Sequence, residues 1–132
     1  MTNPSVEERT QSGTAPPKAD FSILVVLKSR ADFLRAARGL RWGTKGMMVQ
    51  GFDRGDENPP RVGFTCSKKV GNAVARNRAK RRLREVARFG LPNMRAGWDY
   101  VLIGKAEVTA TRDFEELKGD FLYALEKLHQ KK

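Results

Sequence analysis

Apolar residues recur along the chain at two periods, and the switches between them mark the elements. In "SRADFLRAARG", residues 29–39, Phe33, Leu34 and Ala37 share one side at i, i+1, i+4 spacing. Ser29 stands where an N-cap accepts free backbone N–H groups, Asp32 lies in the first turn, and Gly39 ends the helix. The pattern then becomes strand-like. "GMMVQGF" at 46–52 and "RVGFTCS" at 61–67 read as strands, separated by the turn-rich "DRGDENPP" at 53–60. In the second strand Val62, Phe64 and Cys66 share one face, while Gly63, Thr65 and Ser67 share the other. That second face is small and polar, so it can lie open to a ligand.

A long helix follows. Asn72 after Gly71 is its N-cap, and Gly90 followed by Pro92 is its stop. At about 100° per residue, Ala75, Ala79, Leu83, Val86 and Ala87 fall on an arc of roughly 120°, the width of a core-facing stripe. Arg76, Arg78, Lys80, Arg81, Arg82, Arg84 and Arg88 cover the rest of the circumference. "WDYVLIGK" at 98–105 has a continuous apolar centre and reads as an interior strand. A last helix over 112–130 carries the stripe Phe114, Leu117, Phe121, Ala124, Leu125 and Leu128, and its nearly balanced charges make it structural. The residues thus read helix, strands, helix, strand, helix, an α+β sandwich with helices packed on a sheet.

Composition narrows the picture. The 132 residues suffice for one domain with a real core. Residues 1–20 are polar, with scattered Gly and Pro and no periodicity, and read as a disordered tail before a single folded domain at 21–132. The net charge is +11, and nine Lys or Arg against the single acid Glu85 crowd into "KKVGNAVARNRAKRRLREVAR" at 68–88. A basic patch this local points to a polyanion, most often nucleic acid. The single cysteine, Cys66, excludes an intramolecular disulfide. No apolar run is long enough to span a membrane, and "FSILVVL" at 21–27 follows an acidic, Pro-containing segment rather than the basic start of a signal peptide. The expected location is the cytoplasm, with no membrane partner and no small-molecule substrate.

The arrangement of charge on the long helix carries the chemistry. A merely solvated face mixes Lys and Arg with Glu at i, i+4; here Arg76, Lys80, Arg84 and Arg88 form a ladder of like charge whose repulsion calls for an external anion. Arginine offers a planar fork that matches phosphate oxygens, and lysine a point charge. Asn77 adds a donor and an acceptor for phosphate, sugar or base edge without adding repulsion. Lys68 and Lys69 precede the helix, and the free N–H groups at 72–75 favour anions. A strand, not a second helix, leads into this helix, which argues against a helix-turn-helix DNA reader. A dense Arg array beside an open sheet face suits RNA. A structural RNA binder, such as a ribosomal protein or an RNA chaperone, also fits these features.

"GFTCSKKVGNAVARNRAKRRLRE" resembles the signature of the bacterial ribonuclease P protein family: a strand, a Ser-Lys-Lys-Val-Gly-Asn segment, then a helix opening on Arg-Asn-Arg-x-Lys-Arg. "LKSRADFLRAARG" is similar to that family's first helix and "DYVLIGK" to its last strand. The resemblance implies a two-layer αβ sandwich of order αβββαβα with a left-handed βαβ crossover, one strand more before the basic helix than the residues themselves mark. It also implies a function. The protein does no bond chemistry; a large RNA subunit with bound Mg2+ removes the 5′-leader from precursor tRNA. The protein binds both that RNA and the leader, broadens substrate range and supports metal-dependent cleavage. By position, Arg76, Asn77, Arg78, Lys80 and Arg81 would bind the catalytic RNA, with Arg84 a further phosphate contact. Phe33, Ser67, Lys68 and Lys69 match leader-contact positions in a cleft between the first helix and the sheet. The chain departs from the family where Ala37 and Gln50 replace frequent aromatics, leaving leader bases fewer stacking platforms unless Trp42 compensates.

The remaining reactive residue types read as structural. Cys66 alternates with Val62 and Phe64 and is expected to be a buried thiol, while Trp42, Trp98, Met47 and Met48 are packing residues. His129 has no ligand partner nearby in sequence, Glu115 and Glu116 are solvated helix charges, and no carboxylate cluster or His pair offers a nuclease site.

Overall fold

The computed structural model describes residues 24–66 and 71–131; the tail expected at 1–20 lies outside them, as do Ser67, Lys68 and Lys69. Along the described chain run β1 (Val25–Val26), α1 (Arg30–Ala37), β2 (Leu40–Gly43), β3 (Met47–Asp53), β4 (Arg61–Cys66), α2 (Ala73–Gly90), a single 3-10 turn (Leu91–Asn93), β5 (Trp98–Gly104), α3 (Val108–Thr111) and α4 (Phe114–Lys131). The helix caps follow the residue chemistry: Ser29 accepts from the Ala31 N–H at 3.1 Å, and Asn72 accepts from the Ala75 N–H at 3.0 Å. β2 is the extra strand that the resemblance implies. The last helix starts at Phe114, two residues later than expected, with Asp113 ahead of it accepting from the Glu116 N–H at 3.2 Å, and the short α3 precedes it outside the expected range.

The five strands form one sheet in the order β1-β4-β5-β3-β2. β4 pairs in parallel with both β1 and β5, while β3 is antiparallel to β5 and β2. α2 therefore bridges two adjacent parallel strands, the βαβ unit expected of the basic helix. β5 is the central strand, which explains its unbroken apolar run: Tyr100 and Leu102 pack toward α2 and α4, and Val101 packs on the other side with Leu27 and Ala36.

The larger core lies between the sheet and the pair α2 and α4, where Leu83, Val86, Ala87, Leu117, Phe121 and Ala124 meet Met47, Val49, Val62 and Leu102. The two helices touch so closely at Gly90 that a Cβ there would come within 2.4 Å of the Phe121 ring. α1 lies on the opposite face of the sheet and covers it only in part, with Phe33, Phe52 and Ile103 half-buried around its small core.

A chain of charges fastens that side. Asp99, fully buried at the start of β5, accepts from Arg54 at 2.6 Å and from both Nε and Nη2 of Arg61 at 2.8 Å. Arg61 also lies 3.4 Å from Asp32 of α1, which in turn holds Arg35. Arg54 continues outward to Asp56 and to the carbonyls of Asn58 and Pro59, so one guanidinium organises the whole β3–β4 turn. Asp56, then Asp99, holds the Arg54 guanidinium above its usual value, while Arg54 and the Asn58 N–H draw the Asp56 carboxyl down to about 2.

Candidate nucleic-acid interface

α2 is buried on one side as its stripe requires: Ala79, Leu83, Val86 and Ala87 are fully enclosed, and Ala75 lies half-buried at the margin. Its cations are not equivalent, however. Asn77, Arg78 and Arg81 point outward and, with Val74 and Arg82, line a shallow groove along the helix. Arg76 and Lys80 are half-buried, and Arg84 lays its guanidinium over the Phe64 ring of β4 at 5.4 Å. These three follow the flank of the helix nearest β4, so five cations and one amide present two adjoining strips.

Two arginines drop out of the cationic array that the sequence suggests. Arg82 donates to the carbonyls of Ala110, at 3.1 Å, and of Arg112, and its guanidinium stands 5.6 Å over the Phe114 ring. It ties α2 to the junction of α3 and α4 and is a structural residue. Arg88 pairs with Glu85 at 2.8 Å, which relieves one end of the like-charge ladder from within the chain. Both partners depend on where the C-terminal helices dock or on side-chain rotamers, which a helical wheel omits.

The second surface lies across the sheet, beside α1. Phe33 is half-buried against β4, so close to Gly63 that a Cβ there would come within 2.6 Å of its ring. The face of β4 expected to be open is therefore closed at Gly63 by Phe33 and stays half-exposed at Thr65. Of the residues assigned to this surface, Phe33 is the one within the described chain. Gln50, where an aromatic was expected from the resemblance, is buried on this same side of the sheet, opposite Val101. Trp42 does not reach this surface; it packs edge-on against Tyr123 of α4, with ring centres 6.4 Å apart.

Reactive side chains elsewhere serve packing. Cys66 is half-buried rather than enclosed, and burial pushes its thiol upward despite Lys80 and Arg76 nearby, so it is a poor nucleophile. His129 bonds the Tyr100 hydroxyl at 2.8 Å and stands edge-on to Trp98, which places it in the structure's interior chemistry. Among the described residues no three of His, Cys, Asp and Glu gather to hold a metal ion.

The comparisons with known proteins agree with one another. The family model described as Ribonuclease P matches residues 21–129. The chain is 62% identical over 114 residues to the ribonuclease P protein component of Ruegeria pomeroyi, covering 84% of this chain and 91% of that one. It is 47% identical over 103 residues to the protein of the same name from Gluconacetobacter diazotrophicus, covering 76% and 88%. Among solved structures, the ribonuclease P protein from Thermotoga maritima superposes with a TM-score of 0.67 at 27% identity, covering 76% of this chain and 94% of that one.

Proposed function

Since the chain belongs to the ribonuclease P protein family, and so is the RNA-binding protein subunit of a ribonucleoprotein endoribonuclease whose chemistry is carried by RNA, we propose a division of labour between its two surfaces. α2 docks on the ribonuclease P RNA through Arg76, Asn77, Arg78, Lys80, Arg81 and Arg84. The cleft between α1 and the sheet holds the 5′-leader of precursor tRNA, with Phe33, Ser67, Lys68 and Lys69 as its contacts. The observation that supports this reading most is that α2 and α1 pack on opposite faces of one sheet, so a single rigid domain can hold two RNAs at once. The guanidinium forks on α2 fit phosphate oxygens bidentately. Phe33, fixed on Gly63, offers an aromatic edge to an unpaired base. Mg2+ belongs in this reading to the RNA subunit, and the cytoplasm is the proposed location.

The test of the reading is cleavage. Thoroughly RNA-free protein should leave precursor tRNA intact. Added to its matching RNA subunit at low Mg2+, it should stimulate removal of the leader. Robust cleavage by the protein alone would sink the assignment of chemistry to the RNA.

A pair of variants tests the two surfaces. Arg78→Ala should weaken docking on the RNA subunit and leave the preference for leader-bearing substrate intact. Lys68→Ala should weaken binding of precursor tRNA to the assembled enzyme and hardly affect tRNA without a leader. Neither residue belongs to the apolar stripe of α2, and such surface changes cost less than about 0.5 kcal/mol of stability. Equal losses by both variants in every assay would favour one undivided basic patch.

A further inference from the structure

Phe89 does not belong to the buried stripe of α2. It is 46% exposed, although an apolar ring of that size could have been enclosed. Lone exposed apolar residues are common on protein surfaces, so exposure alone decides nothing; its neighbours and its line on the helix do. Eleven residues separate Arg78 from Phe89, close to three helical turns, so the ring stands on the same side of α2 as Arg78, with the carbonyl-bound Arg82 and the Arg88-paired Glu85 between them. The Lys118 ammonium from α4 sits 4.5 Å from the centre of the Phe89 ring and 5.3 Å from that of Phe114, beside which Arg82 is also stacked at 5.6 Å. Lys118 is held there by Glu115 at 2.9 Å. The result is an aromatic ring fixed from one side by a cation and half-open to solvent, three turns along α2 from Arg78.

We propose that Phe89, backed by Lys118, is a stacking platform for an unpaired base of the RNA subunit, extending the docking surface from α2 onto α4. This rests on the docking role given to α2 above. RNA is the occupant that fits both halves of the strip: Arg78 and Arg81 suit the phosphate backbone, and an exposed ring beside a cation suits a base, whose flat face any aromatic can cover without reading its sequence. Stacking releases no counterions, whereas phosphate contacts do. The two contributions therefore separate by salt dependence.

The experiment is equilibrium binding of the full-length protein and its variants to the ribonuclease P RNA over a range of salt, with thermal unfolding as the control for folding. Phe89→Ala and Phe89→Leu should each weaken binding roughly 5- to 150-fold, the range expected for losing one stacked base, with the salt slope of the parent protein. Phe89→Trp should bind like the parent. Leucine keeps apolar bulk and loses the aromatic face, so full affinity in Phe89→Leu overturns the platform, as does a Phe89→Trp protein no better than Phe89→Ala. A change of slope in the Phe89 variants would also overturn it, because the ring would then be acting through the neighbouring charges. Failure of the parent protein itself to bind the RNA would defeat the docking role of α2, an outcome distinct from all of these.

Discussion

Raising salt from about 50 to about 200 mM should weaken binding of the RNA subunit on the order of several hundredfold, with log K falling against log salt at a slope of about −4.5. The figure follows from which cations are available. Arg82 is committed to backbone carbonyls of the α3–α4 junction and Arg88 to Glu85. That leaves Arg76, Arg78, Lys80, Arg81 and Arg84, and about 0.9 counterion is released per phosphate neutralised. Were all the helix cations engaged, the slope would lie near −6 by the same rule. A measured slope therefore distinguishes the two accounts, and Arg78→Ala should reduce it by about 1 while Arg82→Ala should instead lower thermal stability. A slope close to zero would mean that α2 is not the docking surface.

Asp99→Ala should be among the most destabilising single changes in the domain. Its carboxylate has no solvent exposure and is held by Arg54 and Arg61, whose side chains are 10% and 30% exposed. Removing it takes from Arg54 and Arg61 the one fully buried carboxylate they share, leaving them Asp56 and Asp32 at the rim; deleting one partner of a buried pair costs about 3–5 kcal/mol. In a domain of this size that corresponds to a drop in Tm on the order of 10–20 °C. Asp99→Asn keeps one acceptor and should fall between. The loss should extend to the surface beside α1 proposed to hold the leader, because Arg61 links Asp99 to Asp32 of α1. Thermal unfolding together with binding of leader-bearing substrate measures both effects, and a Tm within about 2 °C of the parent would show that Asp99 does not hold the network together.

Much of this architecture was legible in the chain because it rests on long, periodic segments. The stripe of α2, the interior character of β5 and the stripe of α4 follow from apolar spacing, the start of α2 follows from Asn72, and the charge of α2 points to RNA. The two-residue β1 and four-residue β2 are too short to show alternation, and β2 is expected only through the family resemblance. The four-residue α3 ahead of α4 is likewise too short to show a stripe. Asp99 was hidden for a different reason. Within "WDYVLIGK" it looks like an intruder at the start of an apolar run, and its partners Arg54 and Arg61 are remote in sequence or lie beyond a turn. The inward turn of Arg82 was equally invisible, since a helical wheel gives direction but not what waits there. The contact between Phe33 and Gly63 needed tertiary placement, although the bare strand face at Gly63 was the signal that something could approach it closely.

The strand order also sets a schedule for the growing chain. β5 is the central strand and the last to be synthesised, with β4 and β1 on one side of it and β3 and β2 on the other. Until Trp98–Gly104 has left the ribosome, the nascent protein holds two strand pairs that nothing joins, and neither face of the finished sheet exists. α2 emerges before that strand, so its cationic side is exposed to the ribosome's own RNA while its apolar side has no complete surface to cover. Non-local pairing of this kind is slow compared with helix formation. Addition of Trp98–Gly104, rather than appearance of the basic helix, is therefore the step that fixes the separation between the α2 face and the α1 face.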